Sequence, residues 1–172
     1  MIEIMVMLAD ILWPGHQTPD MILLYTDLFS PIKQNLRLRT VHFIVASIYL
    51  SRLLASPRPS LHKPLVEPHM GWICALLLAV TYLGDSSTLQ REFELIAYTW
   101  YPDKDPRNVS KYLSEGYLEL CKHINWELSV SNDLVQAFRV EDWGAVLDMQ
   151  TVDDQAWYMY ETFGKPRGLI GN

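Results

Sequence analysis

Five histidines and two cysteines are the residues with which metal binding or nucleophilic chemistry would have to begin. His16, His42, His62, His69 and His123 show neither an i, i+4 pair nor a Cys/His spacing that could close a zinc site. His62, Glu67 and His69 could be drawn as a ligand set, but prolines interrupt them, and loop histidines are the better expectation. No metal and no cofactor is therefore expected. Cys74 and Cys121 each sit inside an apolar helical pattern, where cysteine acts as a small hydrophobe and has nothing to favour its thiolate. Glu92 and Glu94 point to different sides of a helix and cannot work as an acid/base pair. There is no G-x-S-x-G, no phosphate-binding glycine loop and no G-x-G-x-x-G. Asn108-Val109-Ser110 matches a glycosylation sequon but falls in the first turn of a predicted helix, so it is read as chance. Nothing here points to an enzyme.

The elements that carry these residues are helical in pattern throughout. Thr18-Pro19 predicts a cap followed by proline at the first helical position, opening a helix that stops near Pro31. A second helix is predicted from about Asn35 to Ala55, apolar on most of its circumference. The proline-rich stretch from Ser56 to Pro68 is a connector. Trp72 to Asp85, WICALLLAVTYLGD, has almost no polar side. Such a segment is either a membrane span or a central core helix. Glu67, Pro68 and His69 before it, and Gly84 and Asp85 after it, leave it short of the roughly 20 apolar residues a span needs. It is predicted to be the hub around which the other helices pack.

Ser87 with Gln90 three residues on has capping-box spacing and opens a fourth helix through Trp100. Asp105-Pro106 opens a fifth, with Leu113, Tyr117, Leu120, Cys121 and Ile124 as its apolar stripe and Lys111, Glu115, Glu119 and Lys122 on the polar face. Ser131 can cap a short helix through Phe138, and a last one runs through Ala156, Tyr160 and Phe163 to a stop at Gly164. The first residues, MIEIMVMLADILWPGH, carry Glu3 where a signal peptide would carry a basic residue, and read as an amphipathic flanking helix.

The 172 residues, 49% hydrophobic and 20% charged, suit one domain with an enclosed core. A formal net charge of -6 argues against nucleic-acid binding, which needs accumulated positive charge. The charge is uneven: Lys33 to Lys63 holds six Lys and Arg and no acid, whereas Glu141 to Glu161 is uniformly acidic. Two cysteines in helical patterns indicate no disulfide framework and an intracellular protein.

The order and wording of these helices resemble the cyclin box. VASIYLSRLLAS in the second helix is similar to the family's H-x-x-x-x-Y-(I/L)-x-R-(F/L) pattern, slightly shifted, through His42, Tyr49, Arg52 and Leu53. LLLAVTYLGD resembles the cyclin LLLASKYL-x-D segment through Leu76, Leu77, Leu78, Ala79, Tyr82, Leu83 and Asp85. HINWELSVSNDL resembles a fungal (L/I)-(D/N)-W-x-L-x-V-S ending, and ADILWPG the leader of fungal cyclins of the phosphate-signalling (PCL) type. The family's D-x-x-x-x-N-x-x-W signature is matched by Asp85, Gln90 and Phe93 in drifted form. The resemblance spans about Thr18 to Phe138.

It implies an all-α fold: a five-helix cyclin-box domain over residues 18–138, with a helical leader over 1–17 and an acidic extension with short helices over 139–172. It implies a regulatory subunit, a monomer when unbound, that binds and activates or targets a cyclin-dependent Ser/Thr kinase, in nucleus or cytoplasm and with no membrane partner. The partner-binding residues so implied are Thr81, Asp85, Gln90, Glu115, Tyr117, Glu119 and Lys122. Thr81 stands where cyclins generally have a lysine, and Tyr117 where they have a glutamate, with Glu115 and Glu119 two residues to either side. These departures keep open a second reading, a cyclin-fold adaptor or inhibitor that activates no kinase. A third is an unrelated helical domain.

Overall fold

Eight α-helices and one π-turn are seen in the computed structural model, which describes residues 2–13, 38–55, 65–84, 89–100, 105–140 and 143–164. The helices are α1 (Ile2–Leu12), α2 (Thr40–Ala55), α3 (Pro68–Tyr82), α4 (Leu89–Trp100), α5 (Pro106–His123), α6 (Asn132–Val140), α7 (Trp143–Leu147) and α8 (Val152–Met159); the π-turn spans Tyr160–Gly164. Every regular element among the described residues is helical, so the fold is all-α. The helix expected between Thr18 and Pro31, the cap Ser87 and most of the proline-rich connector lie outside the described residues.

Two buried helices lie side by side at the centre. In α3 each residue from Met70 to Val80 is buried, as the unbroken apolar run predicts. In α2 burial runs from His42 to Leu53, with Ser47 and Ser51 bonding back to the carbonyls of Phe43 and Ser47 at 2.8 Å, which lets two hydroxyls enter an apolar core. Beyond α3 lie α4 and α5; beyond α2 lie α1, α6 and the π-turn.

Local chemistry sets the helix ends. Pro68 opens α3 at a position whose N–H would be unpaired in any case. Asp105 caps α5 by accepting the Arg107 N–H at 2.8 Å, and Ser131 caps α6 through the Leu134 N–H at 3.2 Å, both as predicted. Thr151 caps α8 through the Asp154 N–H at 3.1 Å, while its hydroxyl donates to the Asp154 carboxylate at 2.7 Å. At the start of α2, His42 Nδ1 accepts the Arg39 N–H at 2.8 Å, the reach-back from the third helical residue that Glu or Gln more often makes.

The first and the last of the described helical elements are drawn into this core. The N-terminal helix, expected as a flank, buries Leu8, Ile11 and Trp13, and the Trp13 indole N–H donates to the Leu65 carbonyl at 2.7 Å. Beyond residue 138, Val146, Met159 and Phe163 are buried in the same cluster, and Phe138, Trp143 and Phe163 form an aromatic trio with centroids 4.6–5.6 Å apart. Gly164 was expected to stop the last helix. Its role in the structure is close approach: a Cβ there would lie 3.2 Å from the Ala55 Cβ and 2.8 Å from the Tyr160 ring.

Candidate functional site

Of the residues singled out from the sequence, Thr81 lies at the C-terminal end of α3 and Tyr117 on the neighbouring face of α5. At that end the Leu83 and Gly84 N–H groups bond back to the carbonyls of Ala79 and Thr81, and Gly84 takes φ +77°, where a glycine is least strained. Thr81 and Tyr82 are thereby left exposed where the chain leaves the core. The Thr81 hydroxyl donates to the Leu77 carbonyl at 2.8 Å and lies close to the phenol of Tyr117, from the middle of α5. Thr81 and Tyr117 therefore meet across the two helices. Tyr117 is half-buried, and burial pushes its phenol pKa up, Cys121 adding to the rise and the Thr81 hydroxyl opposing it.

Glu115 and Lys122 are exposed on the outer side of α5, in one stripe with Lys111 and with Leu118, which is 47% exposed. Glu115 pairs with Lys111 at 3.7 Å. Glu119, expected on the solvent face, is turned inward instead: its side chain is only 16% exposed, it pairs with His123 rather than Lys122 at 3.4 Å, and its charge reaches the Cys74 thiol. Glu119 stands one turn beyond Glu115 but rotated by about 40° toward the side of the buried Gly116 and Leu120. Asp85 lies outside the described residues. Gln90 is in the first turn of α4, with its side chain outside the described residues.

A second set of residues, quoted from the sequence only for their pattern, has a structural task. After α5 the chain closes a Schellman motif: the Trp126 N–H bonds to the Cys121 carbonyl at 2.8 Å and the Asn125 N–H to that of Lys122 at 3.0 Å, with Asn125 and Trp126 at φ 53° and 58°. The extended segment that follows is strapped across α2 and α3. Arg52, 5% exposed, donates through Nη1 to the Glu127 carbonyl at 2.7 Å and through Nη2 to the Ser129 carbonyl at 2.8 Å. The Tyr49 phenol donates to the Leu128 carbonyl at 2.9 Å, and the Tyr82 phenol accepts the Val130 N–H at 3.2 Å. Tyr49 and Tyr82 meet edge to face at 6.4 Å. Burial lowers the Arg52 pKa, opposed by the neighbouring Glu127 carboxylate and by Tyr49 and Tyr82. The signal in the sequence was a pair of polar heads, three residues apart, on an otherwise apolar helix. What it could not give was their partner, a backbone segment some 75 residues further on.

Little in this arrangement suits covalent chemistry. Cys74 is fully buried with its thiol 3.8 Å from the Leu113 carbonyl, and burial pushes its pKa far up; Cys121 is shifted the same way. Glu67, of the drawn ligand set, accepts the Tyr112 phenol at 2.9 Å, and His62 lies outside the described residues. Among the described residues no three His, Cys, Asp or Glu side chains gather as a metal site would require, and no helix is long and apolar enough to cross a membrane. Set against protein-family models, curated proteins and solved structures, the chain matches none of them.

Proposed function

We propose that this chain is a cyclin-like regulatory subunit that binds a cyclin-dependent Ser/Thr kinase inside the cell, contributing surface and no catalytic group. The observation that supports this reading is the meeting of Thr81 and Tyr117. Two positions that the sequence resemblance assigns to partner contact come from different helices and adjoin at an exposed helix end. Exposed Tyr82 and Leu118 supply apolar area of the kind that carries binding energy at the centre of an interface. Glu115 and Lys122 supply charges at the rim, each of modest worth. A helix of the kinase docking there would be biased toward one of its arrangements by differential contact.

The same pair also favours the second reading, an adaptor or inhibitor. A hydroxyl pair offers neither the charge nor the reach of a lysine and a glutamate, so binding without activation is a separate outcome. Titration against purified cyclin-dependent kinases, with phosphotransfer measured alongside, distinguishes the two. Leu118→Asp with Glu115→Lys should lower kinase affinity about tenfold or more while circular dichroism stays unchanged, because both side chains are exposed. Unchanged affinity in that folded variant refutes the docking surface. Binding with no gain in phosphotransfer selects the adaptor.

A further inference from the structure

Tyr82 is the last residue of α3, 41% exposed, and two residues on the chain turns away at Gly84 with φ +77°. A tyrosine at a helix end in water samples several rotamers, and fixing one of them costs free energy when a partner binds. The fold does the fixing beforehand. At its tip the phenol accepts the Val130 N–H at 3.2 Å, and its ring meets that of Tyr49 edge to face at 6.4 Å and 82°.

A surface hydrogen bond of 3.2 Å is weak by itself, because water competes for both groups. It holds only as well as Val130 is held. The strap is gripped along its length: the Glu127 and Ser129 carbonyls accept from Arg52, the Leu128 carbonyl accepts from Tyr49, and the Val130 N–H donates to Tyr82. Four consecutive residues are thus each bonded to a side chain of α2 or α3. Arg52 is 5% exposed and Tyr49 fully buried, so neither is open to a partner. Tyr49 holds Tyr82 twice over, through the strap and through its own ring. The bland account is that Arg52 and Tyr49 stabilise the fold and nothing more. Yet the strap ends on an exposed aromatic of the α3/α5 surface, so what orders one orders the other.

We propose that Arg52 and Tyr49 are positioning residues for partner binding, setting affinity at the α3/α5 surface through the rotamer of Tyr82 without touching the partner. This rests on the kinase reading of that surface.

The test is a double-mutant cycle on the full chain. The purified cyclin-dependent kinase that the chain binds most tightly is titrated by calorimetry with the parent, Arg52→Met, Tyr82→Ala and the double variant, below the onset of unfolding and with circular dichroism as the folding control. Arg52→Met should weaken binding about fivefold in the parent but less than about twofold in the Tyr82→Ala background, where no ring is left to position. If Arg52→Met does not fold, Tyr49→Phe takes its place in the cycle, with the same contrast between backgrounds. Tyr82→Phe, which keeps the ring and loses the bond to Val130, should fold as the parent does and bind about threefold more weakly. Because coupling is reciprocal, saturating kinase should slow amide exchange at Val130 in the parent, and less so in Tyr82→Phe. An equal loss in both backgrounds would mean that Arg52 acts through general stability, and it would overturn the inference; so would Tyr82→Phe binding like the parent. In those cases the docking surface itself still stands if Leu118→Asp with Glu115→Lys weakens binding. A parent chain that binds none of the kinases overturns the kinase reading, and this inference with it.

Discussion

Replacing Arg52 tests whether the segment after α5 is held by side chains of α2 or merely lies beside them. Arg52→Met keeps most of the stem and its packing and removes the guanidinium. Two hydrogen bonds from a charged donor are lost, at 2.7 and 2.8 Å, and such bonds contribute about 1.5–3 kcal/mol each. Three effects pull the net value below their sum. Burying the cation carries a desolvation cost that disappears with it, consistent with the lowered pKa of Arg52. Its Nε is buried with no hydrogen-bond partner among the described residues, a further cost that the variant relieves. Ser129 is exposed, so water can take over its carbonyl, whereas Glu127 is half-buried and its carbonyl is harder to satisfy. The expected loss is about 2–3 kcal/mol of unfolding free energy, measured by urea denaturation. Amide exchange should also accelerate at Val130, whose N–H bonds to the Tyr82 phenol. Arg52→Lys should recover less than half of the loss, because one ammonium cannot span two carbonyls as the fork does. Tyr49→Phe, which leaves the Leu128 carbonyl without its donor, should cost about 1 kcal/mol or more and couple with Arg52→Met in a double-mutant cycle. Arg52→Met within about 0.5 kcal/mol of the parent, with Val130 exchange unchanged, would refute the strap.

Gly71→Ala should destabilise by about 2–3 kcal/mol in the same assay despite the better helix propensity of alanine, because the added methyl would run into the Trp13 ring, its Cη2 at 2.6 Å; a Tm at or above the parent's would show that α1 can move aside. Cys74→Ala should cost about 1–2 kcal/mol, and Cys74→Arg should abolish cooperative thermal unfolding by placing an unpaired charge in a fully buried site. Burial raises the pKa of Asp10 above 3.8, so the folded state holds that proton more tightly than the unfolded chain and stability falls as pH rises from 3.8 through the raised value. Asp10→Asn should therefore stabilise at neutral pH, with the gain vanishing below about pH 3.8 in urea melts across pH.

How far the sequence reaches depends on whether a feature is local. The caps at Asp105 and Ser131 and the unbroken apolar run that makes α3 a core helix depend on neighbouring residues, and they were legible as such, whereas Pro68, read as the end of the connector, opens α3. The helical period likewise placed Leu113, Leu120 and Cys121 on a buried stripe. Other features are set by which surfaces meet, and no local pattern encodes that. Glu119 is polar in every window of the sequence, yet in the fold its side chain is largely covered and pairs with His123. Tyr49 and Arg52 read as a family-like spacing, but their partners are backbone carbonyls of a segment brought across by the Schellman turn. The acidic stretch after residue 140 looked like an appendage because its charges dominate its composition. Val146, Met159 and Phe163 are nonetheless buried in the core, with Trp143 packed beside them, while Trp157 faces outward. Helix positions follow from free energies a few residues wide, and the sequence alone determined those; which groups far apart in sequence meet, as Arg52 meets the Glu127 and Ser129 carbonyls, only the tertiary structure decided.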